Sequence, residues 1–263
     1  MRVLLTNDDG ILSPSLWALA LRLRPLAEIV VVAPDREQSG VGTSVTLVEP
    51  LRVSPVPALV EGVSAAYSVE GTPADCVILA LGHLIEGPVD MVISGINFGA
   101  NMGNDVLISG TVGAVLQSYL RGIPSVAMSM ASLEPTHYDV GTRVAESLVR
   151  QVAEGTFPSE VLLNVNLPDL PPEEIKGVAV TFMGRRSYTD VVEEHKDGRG
   201  RRYYWIVRGK SEWSLEEGSD VWAVRNNLIS VTPLHRDLTH HEHLPNLHVF
   251  REKLADDLNL VAP

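Results

Sequence analysis

The feature that most restricts the fold of this chain is a set of short apolar runs that are continuous, not alternating. Val3-Leu4-Leu5, EIVVVAP (28–34), DMVISGIN (90–97), IPSVAMSM (123–130) and VLLNVNL (161–167) all have this character. A strand that is apolar at nearly every position has to bury both faces, which happens in a parallel sheet covered by helices on each side. Helical patterns separate the runs, at 13–26 with its leucines and Trp17, at 72–85, at 111–122 and at 138–155. The alternation predicts an α/β chain: a Rossmann-like three-layer sandwich with a mostly parallel sheet. Local signals agree with this. Thr72 reads as an N-cap, Pro73 as the first helical residue and Asp75 as the return arm of a capping box, and Gly122 closes its helix.

After about residue 180 the character changes. Polar and β-prone flanks around DGRG predict a long exposed hairpin over 187–207, residues 219–234 read as strand-like, and 246–261 reads as a closing helix. We therefore expect a Rossmann-like core over 1–180. Residues 181–263 are expected to carry the hairpin, further strands and a C-terminal helix used in oligomerisation, the whole forming a single domain.

Composition narrows the function. The chain of 263 residues has a formal net charge of −12, which argues against non-specific binding to nucleic acid or anionic membrane. Cys76 is its one cysteine, so neither an intrachain disulfide nor a thiolate metal cluster is open to it, and its apolar setting predicts an inert buried thiol. No window approaches the roughly 20 apolar residues of a membrane span, and the start of the chain does not read as a signal peptide. A cytoplasmic protein is expected.

In an open parallel sheet, ligands bind beyond the carboxyl ends of the strands. Three polar segments should meet there: TNDDG (6–10), APDREQSGVG (33–42) and SGINFGANMGND (94–105). Two adjacent carboxylates directly after a buried strand repel each other and are costly to desolvate, so either water or a cation has to reach them. Asp8 and Asp9 offer hard anionic oxygens, and Ser39 and Asn97 offer neutral ones. With no histidine or cysteine in these loops, the set suits Mg²⁺ or Mn²⁺ better than zinc. Two aspartates balance a dication and leave a site able to receive a phosphate dianion. The helix start at Ser109, Gly110 and Thr111 offers free N–H groups and hydroxyls to such an anion.

Together LLTNDDG, VVAPDREQSG, VEGTPADCV, ISGINFGANMGNDVLISGTVGAV and ISVTPLHRDLT resemble the SurE family of survival-protein nucleotidases, from residue 1 to about 240. The match is weakest around 50–66 and after 240. The resemblance implies a phosphatase acting on nucleoside 5′- or 3′-monophosphates with one divalent cation per subunit. It places the ion on Asp8, Asp9, Ser39 and Asn97 and the phosphate loop on Ser109, Gly110 and Thr111, and it implies homodimers or homotetramers. On this reading Asp8 or Asp9 orients or deprotonates the attacking water. Asn97, Asn101 and the Ser109–Thr111 helix start hold the phosphoryl oxygens.

Two rival readings are weaker. A covalent aspartyl-phosphate phosphatase needs D-x-D-G-T, but Asn7 occupies the nucleophile slot and Ile11 follows the glycine. A non-catalytic Rossmann-type nucleotide binder needs several glycines after the first strand, where NDDGIL has one. The cluster His240, His241, His243 and His248 lacks a metal-site spacing and reads as a solvated or interfacial tail. The basic residues Arg185, Arg186 and those of DGRGRR (197–202) read as intersubunit partners or a lure for nucleotides, and Tyr203, Tyr204 and Trp205 as hairpin packing.

Overall fold

The computed structural model describes residues 1–158, 161–187, 190–208, 212–213 and 215–260. Strand β1 (Arg2–Thr6) leads through helix α1 (Pro14–Leu23) to β2 (Glu28–Pro34), which pairs with β1 in parallel. Next come β3 (Val53–Pro55), β4 (Ala65–Val69), α2 (Pro73–Leu79), β5 (Met91–Phe98), α3 (Gly110–Tyr119) and β6 (Ser125–Met130). The chain continues through α4 (Tyr138–Glu154), β7 (Leu162–Leu167) and β8 (Gly177–Val180). After these lie β9 (Arg186–Ser187), β10 (Asp190–Lys196), β11 (Arg202–Arg208), β12 (Glu212–Trp213), α5 (Asp220–Arg225), β13 (Leu228–Leu234) and α6 (His248–Asp257).

Nine strands form one sheet in the order β3-β4-β2-β1-β5-β6-β7-β13-β8. Only β3–β4 and β7–β13 are antiparallel neighbours within it. Helices α1 and α4 pack on one face, and α2 and α3 on the other. The continuous apolar runs follow from this sandwich. In β1, Val3 and Leu5 enter the core under α1 and α4, while Leu4 enters the core under α2 and α3. In β2, Ile29, Val31 and Ala33 divide from Val30 and Val32 in the same way. Because side chains alternate between faces, two buried faces need apolar residues at every position.

Thr72 and Asp75 form the complete capping box ahead of α2, with Pro73 in its first turn. Cys76 is buried in the core, where burial pushes its thiol up, as an inert side chain requires. The hairpin is present as the antiparallel pair β10–β11; Tyr188 and Thr189, at the start of its predicted stretch, lie outside the described residues, as does Val261 of the closing helix.

Two features depart from expectation. The segment around 50–66, which has no unbroken apolar run, supplies β3 at the sheet edge and leads into β4. The segment 219–234 begins as a helix, because the Ser219 hydroxyl caps the Trp222 N–H; only its second half is a strand. That strand, β13, inserts between β7 and β8. Asp220 ties this part of the chain to the core, its carboxylate accepting N–H groups from Gly103 (2.7 Å), Gly184 (2.8 Å) and Val221 (2.8 Å).

Strand order reverses at β1. From there the chain builds outward through β2 on one side and β5 on the other, so a crevice opens beyond the carboxyl ends of β1 and β5.

Candidate functional site

The crevice holds a cavity of about 640 Å³ lined by Asp8, Asp9, Ser39, Asn97, Asn101 and Ser109, with Glu37 beside them. Six of the eight residues singled out from sequence therefore share one wall. Gly110 and Thr111 lie directly behind it, against Asp8.

The loop after β1 is shaped by its own residues. Asn7 is fully buried, and its side-chain amide spans the turn, donating to Gly10 O at 2.9 Å and accepting the Gly10 N–H at 3.1 Å. Gly10 adopts φ 96°, and a Cβ there would lie 3.1 Å from the Arg36 carbonyl carbon, so the turn is reserved for glycine. With both amide groups spent, Asn7 is a structural clamp. The loop after β2 is bound to the loop after β1 by the Gln38 N–H, which donates to Asp8 O at 2.8 Å.

Helix α3 closes the third side. Ser109 is its N-cap, accepting the Val112 N–H at 3.2 Å. A Cβ on Gly110 would stand 2.9 Å from Asp8 Cβ and 3.2 Å from Gln38 O, so glycine lets the helix start come against the acid. The buried Thr111 hydroxyl donates to Asp8 Oδ1 at 2.6 Å. Asn101 Nδ2 reaches Ser129 Oγ at 2.9 Å and Thr111 Oγ1 at 3.4 Å. The backbone of Asn101 is itself gripped by β7: Asn166 Oδ1 accepts its N–H at 2.8 Å, while the Asn164 and Asn166 amides donate to its carbonyl at 2.8 and 3.0 Å. A chain of hydrogen bonds thus runs from β7 through Asn101 and Thr111 to Asp8.

A family model described as Survival protein SurE matches residues 3–190. The chain belongs to the SurE family. It is 48% identical over 240 residues to "5′-nucleotidase SurE" of Dehalococcoides mccartyi (strain CBDB1), covering 90% of each chain. It is 45% identical over 248 residues to the protein of the same name from Geobacter metallireducens (strain ATCC 53774 / DSM 7210 / GS-15), covering 94% of this chain and 96% of that one. The crystal structure of SurE protein from Aquifex aeolicus superposes with a TM-score of 0.79 at 41% identity, over 95% of this chain and 99% of that one.

In this SurE-family chain the electrostatics of the paired aspartates point to a missing positive charge. Burial pushes the Asp8 carboxyl above its ordinary range, against the opposing pull of the Thr111 hydroxyl. Burial first, then the Asp8 charge and Glu37, push Asp9 up to about 7. Asp9 Oδ2 is buried with no hydrogen-bond partner. A divalent cation removes all three problems at once. Among the described residues no three His, Cys, Asp or Glu side chains gather to hold a metal, so such an ion needs neutral oxygens as well. These are available. Asn97 spends its amide nitrogen on Gly99 O at 2.6 Å, leaving Oδ1 for a ligand. The Ser39 hydroxyl gives its proton to Glu37 Oε1 at 2.7 Å and keeps oxygen lone pairs to offer. The donor set fits a hard, oxygen-seeking dication.

Sequence reasoning passed over Glu37, although it sits in the quoted APDREQSG. It also passed over the clamp on Asn101, although two asparagines at alternate positions of an apolar strand share a face and need a polar partner. The histidine segment is exposed: the His240 and His243 rings meet at a tilt of 60° with centroids 4.0 Å apart, and His241 bonds Asp237 at 2.5 Å. In the hairpin, Arg201 pairs with Asp197 and Arg202 with Glu194. Tyr203 stacks on His195 and meets the edge of Trp205.

Proposed function

We propose that this chain hydrolyses nucleoside monophosphates to nucleoside and phosphate, with one Mg²⁺ or Mn²⁺ held by Asp8, Asp9, Ser39 and Asn97. The observation that carries this reading is the meeting, in one cavity, of a buried acid, Asp8, a half-buried one, Asp9, and the N-terminus of α3. The names of the relatives in Dehalococcoides and Geobacter support it independently. A cation held there by Asp8, Asp9, Ser39 and Asn97 would supply Lewis acidity, offsetting charge on the phosphoryl oxygens and easing the ionisation of water.

The protein's own groups divide the remaining work. Ser109 and the first N–H groups of α3 receive phosphoryl oxygens through the positive end of the helix. Asn101, fixed by β7, forms the wall beside them. Asp8 is locked in orientation by Thr111, whereas Asp9 keeps an oxygen without a protein partner. Asp9 is therefore the acid that orients the attacking water.

Homodimers or homotetramers are proposed to form through the β10–β11 hairpin and α6, which has no buried residue and exposes Val249, Phe250 and Leu254. No described helix is long and apolar enough to cross a membrane, and a cytoplasmic location is proposed. Phosphate release from a panel of nucleoside 5′- and 3′-monophosphates, with Mg²⁺, with Mn²⁺ and with EDTA, tests the reading. Release that depends on the cation is expected; full activity after thorough chelation would sink it.

A further inference from the structure

Asn97 extends from a stretch of β5 that has left the regular pairing of the sheet. The pairing of β5 with β1 ends at Thr6–Ser94. Its register with β6 then shifts: Ser94 faces Ala127 and Asn97 faces Ser129, so β5 carries one residue more than β6 over this span. Gly95 and Ile96 absorb the surplus, and a Cβ on Gly95 would collide with Met128 O, so glycine is what lets the strand bend there. A shift of this kind re-aims the side chain that follows it. It also leaves the Ile96 carbonyl outside both registers, and a buried carbonyl needs a donor.

Helix α1 supplies that donor. Ser15 is fully buried, and its hydroxyl donates to Ile96 O at 2.6 Å across 81 positions of sequence. Ser13 Oγ lies 3.0 Å from Ser15 Oγ. The one hydroxyl proton of Ser15 goes to Ile96, so the proton between the two serines comes from Ser13. Ser13 holds the N-cap position of α1, where a serine hydroxyl ordinarily accepts an N–H of its own helix, but it makes no such bond. It lines the cavity at the paired aspartates and is spent on Ser15 instead. The Ile96 side chain is held as well. It is fully buried, and a Cβ on Gly141 of α4 would stand 2.7 Å from its Cδ1. Because the peptide unit is planar, fixing the Ile96 oxygen fixes the direction in which Asn97 leaves the strand.

We infer that Ser15, backed by Ser13, is a positioning residue that aims Asn97 at the cation. The inference rests on the proposed ligand set and goes beyond it by giving α1, which contributes no ligand, a part in metal affinity. If the Ser15 bond did no more than satisfy a buried carbonyl, removing it would lower stability and leave affinity in the folded protein unchanged.

The test titrates Mn²⁺ calorimetrically into the wild type, Ser15→Ala and Ser13→Ala, and follows backbone hydrogen exchange over residues 95–99 in EDTA. Mn²⁺ affinity is expected to fall about 10-fold in Ser15→Ala and about 2–5-fold in Ser13→Ala, as for other groups that orient a ligand from behind. Exchange over 95–99 should quicken in Ser15→Ala. A Ser15→Ala protein that binds Mn²⁺ within about twofold of the wild type overturns the inference, whatever its melting temperature. If Ser15→Ala does not fold, Ser13→Ala decides, and affinity equal to the wild type overturns the inference. A wild type that binds no Mn²⁺ would refute the cation reading itself. Exchange then decides the positioning: faster exchange upholds the grip on Asn97, and unchanged exchange removes it.

Discussion

Replacing Asp9 by asparagine should stabilise the metal-free protein while destroying its response to metal. In the folded state burial, Asp8 and Glu37 push the Asp9 carboxyl from its ordinary 3.8 up to about 7. The folded protein therefore holds this proton to a higher pH than the unfolded chain does. Below about pH 4 both states are protonated and the group costs nothing. As pH rises from about 4 through about 7 the unfolded chain ionises first, and the folded state loses relative stability across that window. Above about pH 7 the full cost applies. A displacement of that size corresponds to about 4 kcal/mol, and the partial hydration of Asp9 reduces it to roughly 2–4 kcal/mol. The asparagine side chain would carry none of this cost and would relieve Asp8 as well.

For a chain of this size each kcal/mol moves the melting temperature by about 2–4 °C. In EDTA at about pH 8, Asp9→Asn should melt roughly 5–10 °C above the wild type at equal protein concentration; the gap should narrow as pH falls and close at about pH 3 to 4. Adding Mn²⁺ should raise the wild type and leave the variant nearly unmoved, so that the order narrows or inverts. A variant that melts below the wild type in EDTA at about pH 8 would refute the argument that the acids are unneutralised. Equal stabilisation of both chains by Mn²⁺ would refute the placement of the cation.

Two further substitutions probe the supports of the site. Thr111→Val removes the hydroxyl that orients Asp8 and should weaken Mn²⁺ affinity by about 10–100-fold in calorimetric titration, with Thr111→Ser restoring most of it; unchanged affinity in the valine variant would deny Thr111 that role. Asp220→Asn sets an amide against donors that now share a carboxylate and should cost about 2–4 kcal/mol in urea unfolding, while a loss under about 1 kcal/mol would show that the three backbone bonds do not anchor the C-terminal part of the chain.

The layers of the fold were readable because their cause is local. A strand buried on both faces has to be apolar at each position, and Val3, Leu4 and Leu5 show this without any knowledge of what covers them. The capping box at Thr72 and Asp75 is local in the same sense. The insertion of β13 between β7 and β8 was not readable, since it pairs residues far apart in sequence and no short-range pattern encodes a neighbour. The edge strand β3 and its neighbour β4 escaped for a related reason: β3 is partly exposed and so lacks the unbroken apolar run that marks the central strands.

The site divides along the same line. Asp8, Asp9, Ser39 and Asn97 could be named because each lies at or just after the end of a buried strand and carries the chemistry a cation needs. What sequence reasoning assigned to Thr111 was contact with phosphate, the natural role of a hydroxyl at a helix start. Folded, that hydroxyl is fully buried and donates to Asp8, 103 positions away in the chain. Likewise the asparagines of VLLNVNL meet their partner, the backbone of Asn101, at separations of 63 and 65 residues. An oxygen that binds a ligand is visible from its own residue type. A group that aims such an oxygen is not, because its identity depends only on which distant residue the sheet brings within about 3 Å. The chain from Asn164 and Asn166 to Asp8 is therefore the part of the site that only the fold supplies: it holds one of the two costly carboxylates, Asp8, in a single orientation.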